Sequence, residues 1–453
     1  MKKKSIAALF CITMLAGLLT GCGGQETAAV NDDASAGTQE AADASQEAEG
    51  EIGGTITVIT NRTDLVDTKF ADYKKAFEEK YPGTEVKFEA ITDYEGDIAI
   101  RMQTEEYGDV LCVPEYMATG DLQNYFEPLG TPEELGEKYE QKYLYKRYYG
   151  GKVYGIPSII NVQGIVYNKK VFEQAGISKL PTTPDEFLAD LKLISEKTDA
   201  IPYYTNFAAG WPLTQWQDHC WGAVSGDPDY RFNTMPFEAE PFAEGKPVNT
   251  VYRLLYDIVD QKLCEADPVT TDWEESKVMI NNGEIGAMTL GLWSVTQCQS
   301  AGPNADDIGY MPFPYNIDGK QYATAGADYC YGINVHSQNK ATARAWIDYI
   351  VDESGFATSE GAVSIVKGAA LPESLSAFEN VEMITDTPAT AENDGLLDRL
   401  SNESEIGLYA EPEKVRLVEA AMGTRKESFD DIMNDWNTRW QEAQAEEGVT
   451  ATK

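Results

Sequence analysis

Residues 55–90 carry the pattern that most restricts the fold. Thr55-Ile56-Thr57-Val58-Ile59-Thr60 alternates and is β-branched, which predicts a strand. Val66, Phe70, Tyr73 and Phe77 follow at steps of four, three and four, the spacing of one apolar helix face. Pro82-Gly83 ends that helix, and Val86, Phe88 and Ala90 alternate again. A strand–helix–strand unit implies parallel strands and a right-handed crossover. A body that begins this way is an α/β body, its helices laid against a sheet.

Later segments extend the pattern. Gly108 to Val113 predicts a buried strand, Gly150-Gly151 a turn into another, and Gly164 to Asn168 a further one. Val171 to Ala175 is a short helix stopped by Gly176. Thr183 is a candidate N-cap with Pro184 at the first helical position. Glu284 to Thr289 reads as a strand. Lys340 to Val351 reads as a helix with Trp346, Tyr349 and Ile350 inward. A last helix carries Phe429, Ile432, Trp436 and Trp440 on one face. About 400 residues exceed one ordinary hydrophobic core, so two domains are expected.

The N-terminus predicts export from the cytoplasm. Lys2, Lys3 and Lys4 precede an apolar run from Ile6 to Leu18, which reads as an export signal covering 1–21. Leu19-Thr20-Gly21-Cys22 resembles the bacterial lipobox, in which the cysteine is lipidated and becomes the first mature residue. Residues 22–53 then form an acidic tether rich in Gly, Ala and Ser and lacking Lys and Arg, which cannot bury enough surface to order itself. Loss of Lys2, Lys3 and Lys4 moves the formal charge from −39 to −42. Such a surface argues against nucleic acid and anionic lipid as partners. Cys112, Cys220, Cys264, Cys298 and Cys330 are scattered and show no metal-binding spacing, so they read as buried apolar residues, with one disulfide left open.

Eight short stretches, in order, resemble the extracellular solute-binding proteins of carbohydrate ABC transporters, the maltose-binding type. They are Cys22 with its lipobox; Phe77 to Gly83; Gly108-Asp109-Val110; Gly151 to Pro157; Tyr167 to Phe172; Pro181 to Phe187; Gly283 to Met288 leading to Trp293; and Asn339 to Trp346. The family's common Thr-Trp-Asp-Glu-Phe is Thr183-Pro184-Asp185-Glu186-Phe187 here, and residues 202–242 match none of its general motifs. The resemblance implies a type II periplasmic-binding-protein-like fold of two α/β lobes with a ligand cleft between them. Lobe one is expected at 54–155 plus 302–340, lobe two at 156–301 plus 341–445, with 446–453 as a tail. It further implies a monomeric, lipid-anchored receptor on the outer face of the cell membrane. Such a receptor closes over sugar by a hinge motion and delivers it to ABC permease subunits, without cofactor, metal or catalysis.

A sugar needs flat aromatic platforms and fixed polar groups that replace its hydration. Trp293, after Gly291-Leu292, sits where the family commonly delivers an aromatic into the cleft. Trp211, Trp216 and Trp221 are each five apart, about 140° on a helix, and so share no single stripe. Trp211 is taken as a platform and Asn206 as its hydrogen-bonding neighbour, with Trp216 and Trp221 read as packing. Asp328 and Tyr329 occupy a turn that often contacts ligand in the family. Glu115 and Asn61 follow strands at the end where α/β ligands bind. Asn161 and Gln163 lie where the chain crosses between lobes. Two other readings compete: an exported glycoside hydrolase, for which Glu115 and Asp328 could pass as an acid pair, and a sugar-sensing partner of a membrane kinase. The two histidines, His219 and His336, stand in unrelated contexts.

Overall fold

The computed structural model describes residues 50–452, apart from residues 93 and 391. Cys22, the export signal and nearly all of the tether lie outside the described residues. Thirteen strands follow in chain order: Gly54–Thr60 (β1), Thr84–Ala90 (β2), Val110–Cys112 (β3), Tyr148–Tyr149 (β4), Lys152–Val153 (β5), Ile156–Pro157 (β6), Ile160–Asn168 (β7), Ile201–Tyr203 (β8), Ile285–Gly291 (β9), Ile308–Met311 (β10), Tyr322–Ala327 (β11), Cys330–Ile333 (β12) and Glu382–Ile384 (β13). They build two main sheets, one per lobe, and the small β4–β5 hairpin.

The first sheet has the order β2-β1-β3-β12-β6. β1 runs parallel to both β2 and β3, as the strand–helix–strand pattern requires. The connecting helix, Lys69–Lys80, buries Phe70 and Phe77. The second sheet has the order β13-β11-β7-β9-β8, with β10 also on β7. Its centre is β7, antiparallel to β9, β10 and β11. Local chemistry sets the helix ends. The Thr183 side chain accepts from the Glu186 amide with Pro184 in the first turn, and Gly176 closes Lys169–Ala175 at a φ of 83°. Along Phe429–Glu446, Phe429, Ile432, Trp436 and Trp440 are buried as their spacing predicts.

The division between lobes differs from the expected one. β10 and β11, expected with lobe one, pair with β7 in the second sheet, while β6 joins the first. Helix Lys340–Asp352, expected with lobe two, covers the first sheet. Trp346 meets Phe77 edge-on at 5.2 Å and Phe88 at 5.6 Å. The reason is packing. The first sheet needs apolar cover beside Phe77, and this helix presents Ala343, Trp346, Ile347 and Ile350 on one side. The five cysteines are free, and all but the partly buried Cys264 are buried. No disulfide links them.

His219 is fully buried against Phe313, ring centres 4.4 Å apart and planes 21° apart, and neither ring nitrogen has a partner. Burial disfavours the charged ring and pushes its pKa down to about 3. An unfolded chain protonates this side chain near pH 6.5. Its contribution to stability is therefore intact above about pH 6.5 and is lost as pH falls toward about 3. His219→Phe should escape that loss, so its unfolding midpoint should climb relative to wild type between about pH 7 and about pH 4. Thermal unfolding curves that keep a constant offset across that range would contradict this.

Candidate functional site

Two short links join the sheets. β6 ends at Pro157 and β7 begins at Ile160; β11 ends at Ala327 and β12 begins at Cys330. The links pair with each other. The Ser158 amide donates to the Tyr329 carbonyl (2.9 Å) and the Asp328 amide to the Ile159 carbonyl (3.0 Å). A third segment joins at the Ile160 amide, which donates to the Val363 carbonyl (2.8 Å). Every residue in this strip lies between the lobes.

Asp328, Asn161 and Tyr329 are brought together here. The Asn161 amide donates to Asp328 Oδ2 (2.8 Å), and Asp328 Oδ1 accepts from the Tyr329 amide (2.7 Å). Tyr329 donates its hydroxyl to Glu95 Oε1 (2.8 Å) on helix Tyr94–Arg101. Burial, and then the neighbouring Glu95, raise the Tyr329 pKa and keep the phenol protonated as a donor. Lys146 donates to the carbonyls of Ala327 (2.9 Å) and Asp328 (3.3 Å). Its ammonium also pairs with Glu115 (3.0 Å), which takes Arg147 at 3.1 Å as well. Glu115 is therefore the counter-ion of Lys146 and Arg147 beside the links, with its side chain still 43% exposed.

The second lobe supplies the aromatic surface. Trp293 opens helix Trp293–Ser300, directly after β9. Its ring lies 5.8 Å from Trp211 and 5.9 Å from Trp273, and Trp211 meets Trp273 edge-on at 5.1 Å. All three are partly buried. Gly291 serves this cluster in a way the sequence did not reveal. A Cβ there would come within 2.6 Å of Trp293 Nε1 and 3.2 Å of Gln163 Oε1, so the bare Cα makes room for the indole itself. Gln163 stands opposite Gly291 across the β7–β9 ladder, and Thr289 opposite Ile165. Asn161, Gln163 and Thr289 thus share one sheet face. Each has a buried side-chain oxygen without a protein partner.

The loop bearing Trp211 is held by buried polar contacts. The Tyr204 amide donates to the Ala287 carbonyl (3.0 Å), and Thr205 donates its amide and hydroxyl to the Glu265 carboxylate. Burial raises the Glu265 pKa while the Thr205 donors oppose the rise. The Ala208 amide donates to Thr271 Oγ1 (2.8 Å), tying this loop to the start of the Trp273 helix, which Asp272 caps. Asn206 differs from expectation. It is 1% exposed at a φ of 55°, with its amide on Met288 Sδ (3.3 Å). It shapes the turn, because Asn tolerates the left-handed region, and its Oδ1 is a further buried oxygen without a protein partner. Asn61, after β1, is partly buried, and its carbonyl accepts from the Thr63 amide (3.0 Å). Trp216 and Trp221 are core residues. Trp273 and Glu95 escaped sequence reasoning. The signal for Trp273 was an aromatic at the first position of an Asp-capped helix, where no helix face yet exists to bury it.

Residues 63–355 match the family of bacterial extracellular solute-binding proteins. A binding protein of an ABC transporter from Bifidobacterium animalis subsp. lactis, BlMnBP1 in complex with mannobiose, is 38% identical, with a TM-score of 0.77 over 87% of this chain and 95% of that one. A manno-oligosaccharide specific solute binding protein of the same organism, BlMnBP2 with mannotriose, is 36% identical with the same TM-score and coverage. The diacetylchitobiose binding protein DasA of Streptomyces coelicolor is 34% identical over 212 residues, which is 45% of either chain. This chain is a bacterial extracellular solute-binding protein, with the two-lobe α/β fold of that family. Its place is outside the cytoplasm.

The Arg147 side chain is 6% exposed and Glu115 is its ion-pair partner. Glu115→Ala should therefore destabilise the protein. The loss should be about 1–2 kcal/mol, below that of a fully buried pair, because Glu115 itself is 43% exposed. Urea unfolding would read this as a lower midpoint at unchanged slope.

Proposed function

We propose that the chain is the receptor of a sugar importer and that it captures a short manno-oligosaccharide between its lobes. The observation that carries the reading is the three-tryptophan cluster beside the polar strip. Indole faces suit the C–H faces of a pyranose. The unpartnered oxygens of Asn161, Gln163 and Thr289 accept from hydroxyls directly or through water, and Asp328 offers the stronger, charge-assisted acceptor. Glu115 is paired with Lys146 and Arg147, so a neutral ligand fits the strip better than an acidic or basic one. The mannosides bound to the two Bifidobacterium relatives support mannose as the sugar unit.

Closure would swing the lobes about the paired links, since only two residues in each separate one sheet from the other. Delivery to a permease, anchoring through a lipid on Cys22, a monomeric state and the absence of catalysis complete the proposal. Among the described residues no helix is long and apolar enough to cross a membrane and no cluster could hold a metal ion. The reading requires neither.

A thermal-shift screen of neutral oligosaccharides should single out mannobiose or mannotriose as stabilising by mass action. Calorimetric titration of Trp293→Ala should then show affinity reduced at least about tenfold, since removal of a stacked platform costs on the order of 1–3 kcal/mol. Gly291→Ala should weaken binding in the same direction by displacing the indole. A panel with no binder, or full affinity in Trp293→Ala, would refute the proposal. Recovery of the sugar as shorter products after incubation would instead favour a hydrolase.

A further inference from the structure

We propose that Lys414 is a positioning residue for the sugar site: it fixes the turn at 407–410, and through that turn the segment that carries Trp211. This rests on the carbohydrate reading above, in which Trp211 is one of the platforms. The residues concerned, 405–414, lie beyond the stretch 63–355 that matches the family.

Lys414 stands where an apolar residue is expected. Helix Pro412–Ala421 buries Lys414, Leu417, Val418 and Ala421, which form one face at helical spacing. Lys414 on that face is 0% exposed. Burial pulls its pKa down to about 7, while Cys220 and Glu413 favour the charge. An ammonium has three donors, and this one finds a single acceptor, the Gly407 carbonyl at 2.5 Å. A methionine would fill the same space without the cost of burying a charge. The hydrogen bond to Gly407 is what the amine adds.

That bond acts on a turn. The Gly407 carbonyl also accepts from the Ala410 amide (2.7 Å), and Gly407 takes a φ of 56°. Ile406 and Leu408 are buried on either side of it, whereas Tyr409, Ala410 and Glu411 are exposed. The turn sends Tyr409 and Glu411 to the two ends of one segment, the helical turn Trp211–Gln217, which Gly210 and Asp218 flank. At the far end the Tyr409 hydroxyl donates to Asp218 Oδ1 (2.9 Å) and accepts from Trp221 Nε1 (2.6 Å). At the near end the Glu411 carboxylate lies on Gly210, where a Cβ would come within 2.6 Å of Glu411 Cδ. Gly210 has a φ of 74° and is followed directly by Trp211. Contacts therefore run unbroken from Lys414 Nζ, through Gly407 and Glu411, to the backbone that aims the Trp211 indole at Trp293.

Calorimetric titration with mannobiose and thermal unfolding test the assignment on wild type, Lys414→Met, Glu411→Ala and the double variant. Lys414→Met should melt at or above the wild-type temperature, because no ammonium is buried, and should bind about three- to tenfold more weakly. Glu411→Ala, an exposed truncation, should leave the melting temperature unchanged and weaken binding to a similar degree. The double variant should bind no more weakly than the weaker single variant, since both changes cut one path. Wild-type affinity in either single variant, or additive losses in the double variant, overturns the assignment and leaves the site at Trp293 standing. So does a loss of affinity in Lys414→Met that comes with a lower melting temperature, which marks a merely structural role. Wild type that fails to bind mannobiose overturns the mannoside reading, and the assignment with it.

Discussion

The backbone pairing between the links 158–159 and 328–329 is the constraint on which the rest of the structure depends. Each lobe owns a sheet, and one chain segment of each sheet continues into the other with two residues between. The Ser158–Tyr329 and Asp328–Ile159 hydrogen bonds hold these segments as a narrow two-stranded strip. Lys146 fastens the strip to the first lobe by donating to two of its carbonyls, and Glu115 keeps the lysine in place. A strip this narrow is the kind of connection about which two lobes can turn. Wider pairing would fuse the sheets; none at all would let the lobes drift.

The site follows from that strip. Ile159 and Ile160 are buried in the core, whereas Asn161, Asp328 and Tyr329 along the same strip stay partly exposed. Asn161 donates to Asp328, and Tyr329 reaches Glu95. Beside them, β9 delivers Trp293, and the Thr205 and Thr271 contacts bring Trp211 and Trp273 against it. Buried oxygens left without partners cost roughly 1–3 kcal/mol each. Three of them, on Asn161, Gln163 and Thr289, share one sheet face close to the tryptophan cluster.

Much of the architecture was legible in the sequence. The strand–helix–strand unit, the capped helix at Thr183, the Gly176 stop and the apolar faces around Trp346 and Trp436 depend on periodicity and local backbone chemistry, both written in adjacent residues. The lobe boundaries were less so. Helix Lys340–Asp352 has the right face to be buried, but its pattern does not say against which sheet, and β10 and β11 could have paired with either. The site shows the same split. Trp293, Trp211, Asp328, Tyr329, Asn161 and Gln163 were singled out in the sequence and lie near one another in the fold, whereas the ion pairs of Glu115 and the left-handed turn at Asn206 had no sequence signal. An ion pair such as Glu115 with Arg147, or a left-handed turn at Asn206, depends on neighbours and torsions that residue type alone does not disclose.

Alone, the sequence determined an exported α/β chain with strongly acidic surface and many aromatics, because charge, composition and hydrophobic period are sums over residues that need no partner. Tertiary structure decided which sheet each segment joined, which carboxylates were neutralised and which three of eight tryptophans met. Those outcomes rest on contacts between residues tens to hundreds of positions apart. Such contacts are chosen by packing and hydrogen-bond satisfaction over the whole fold.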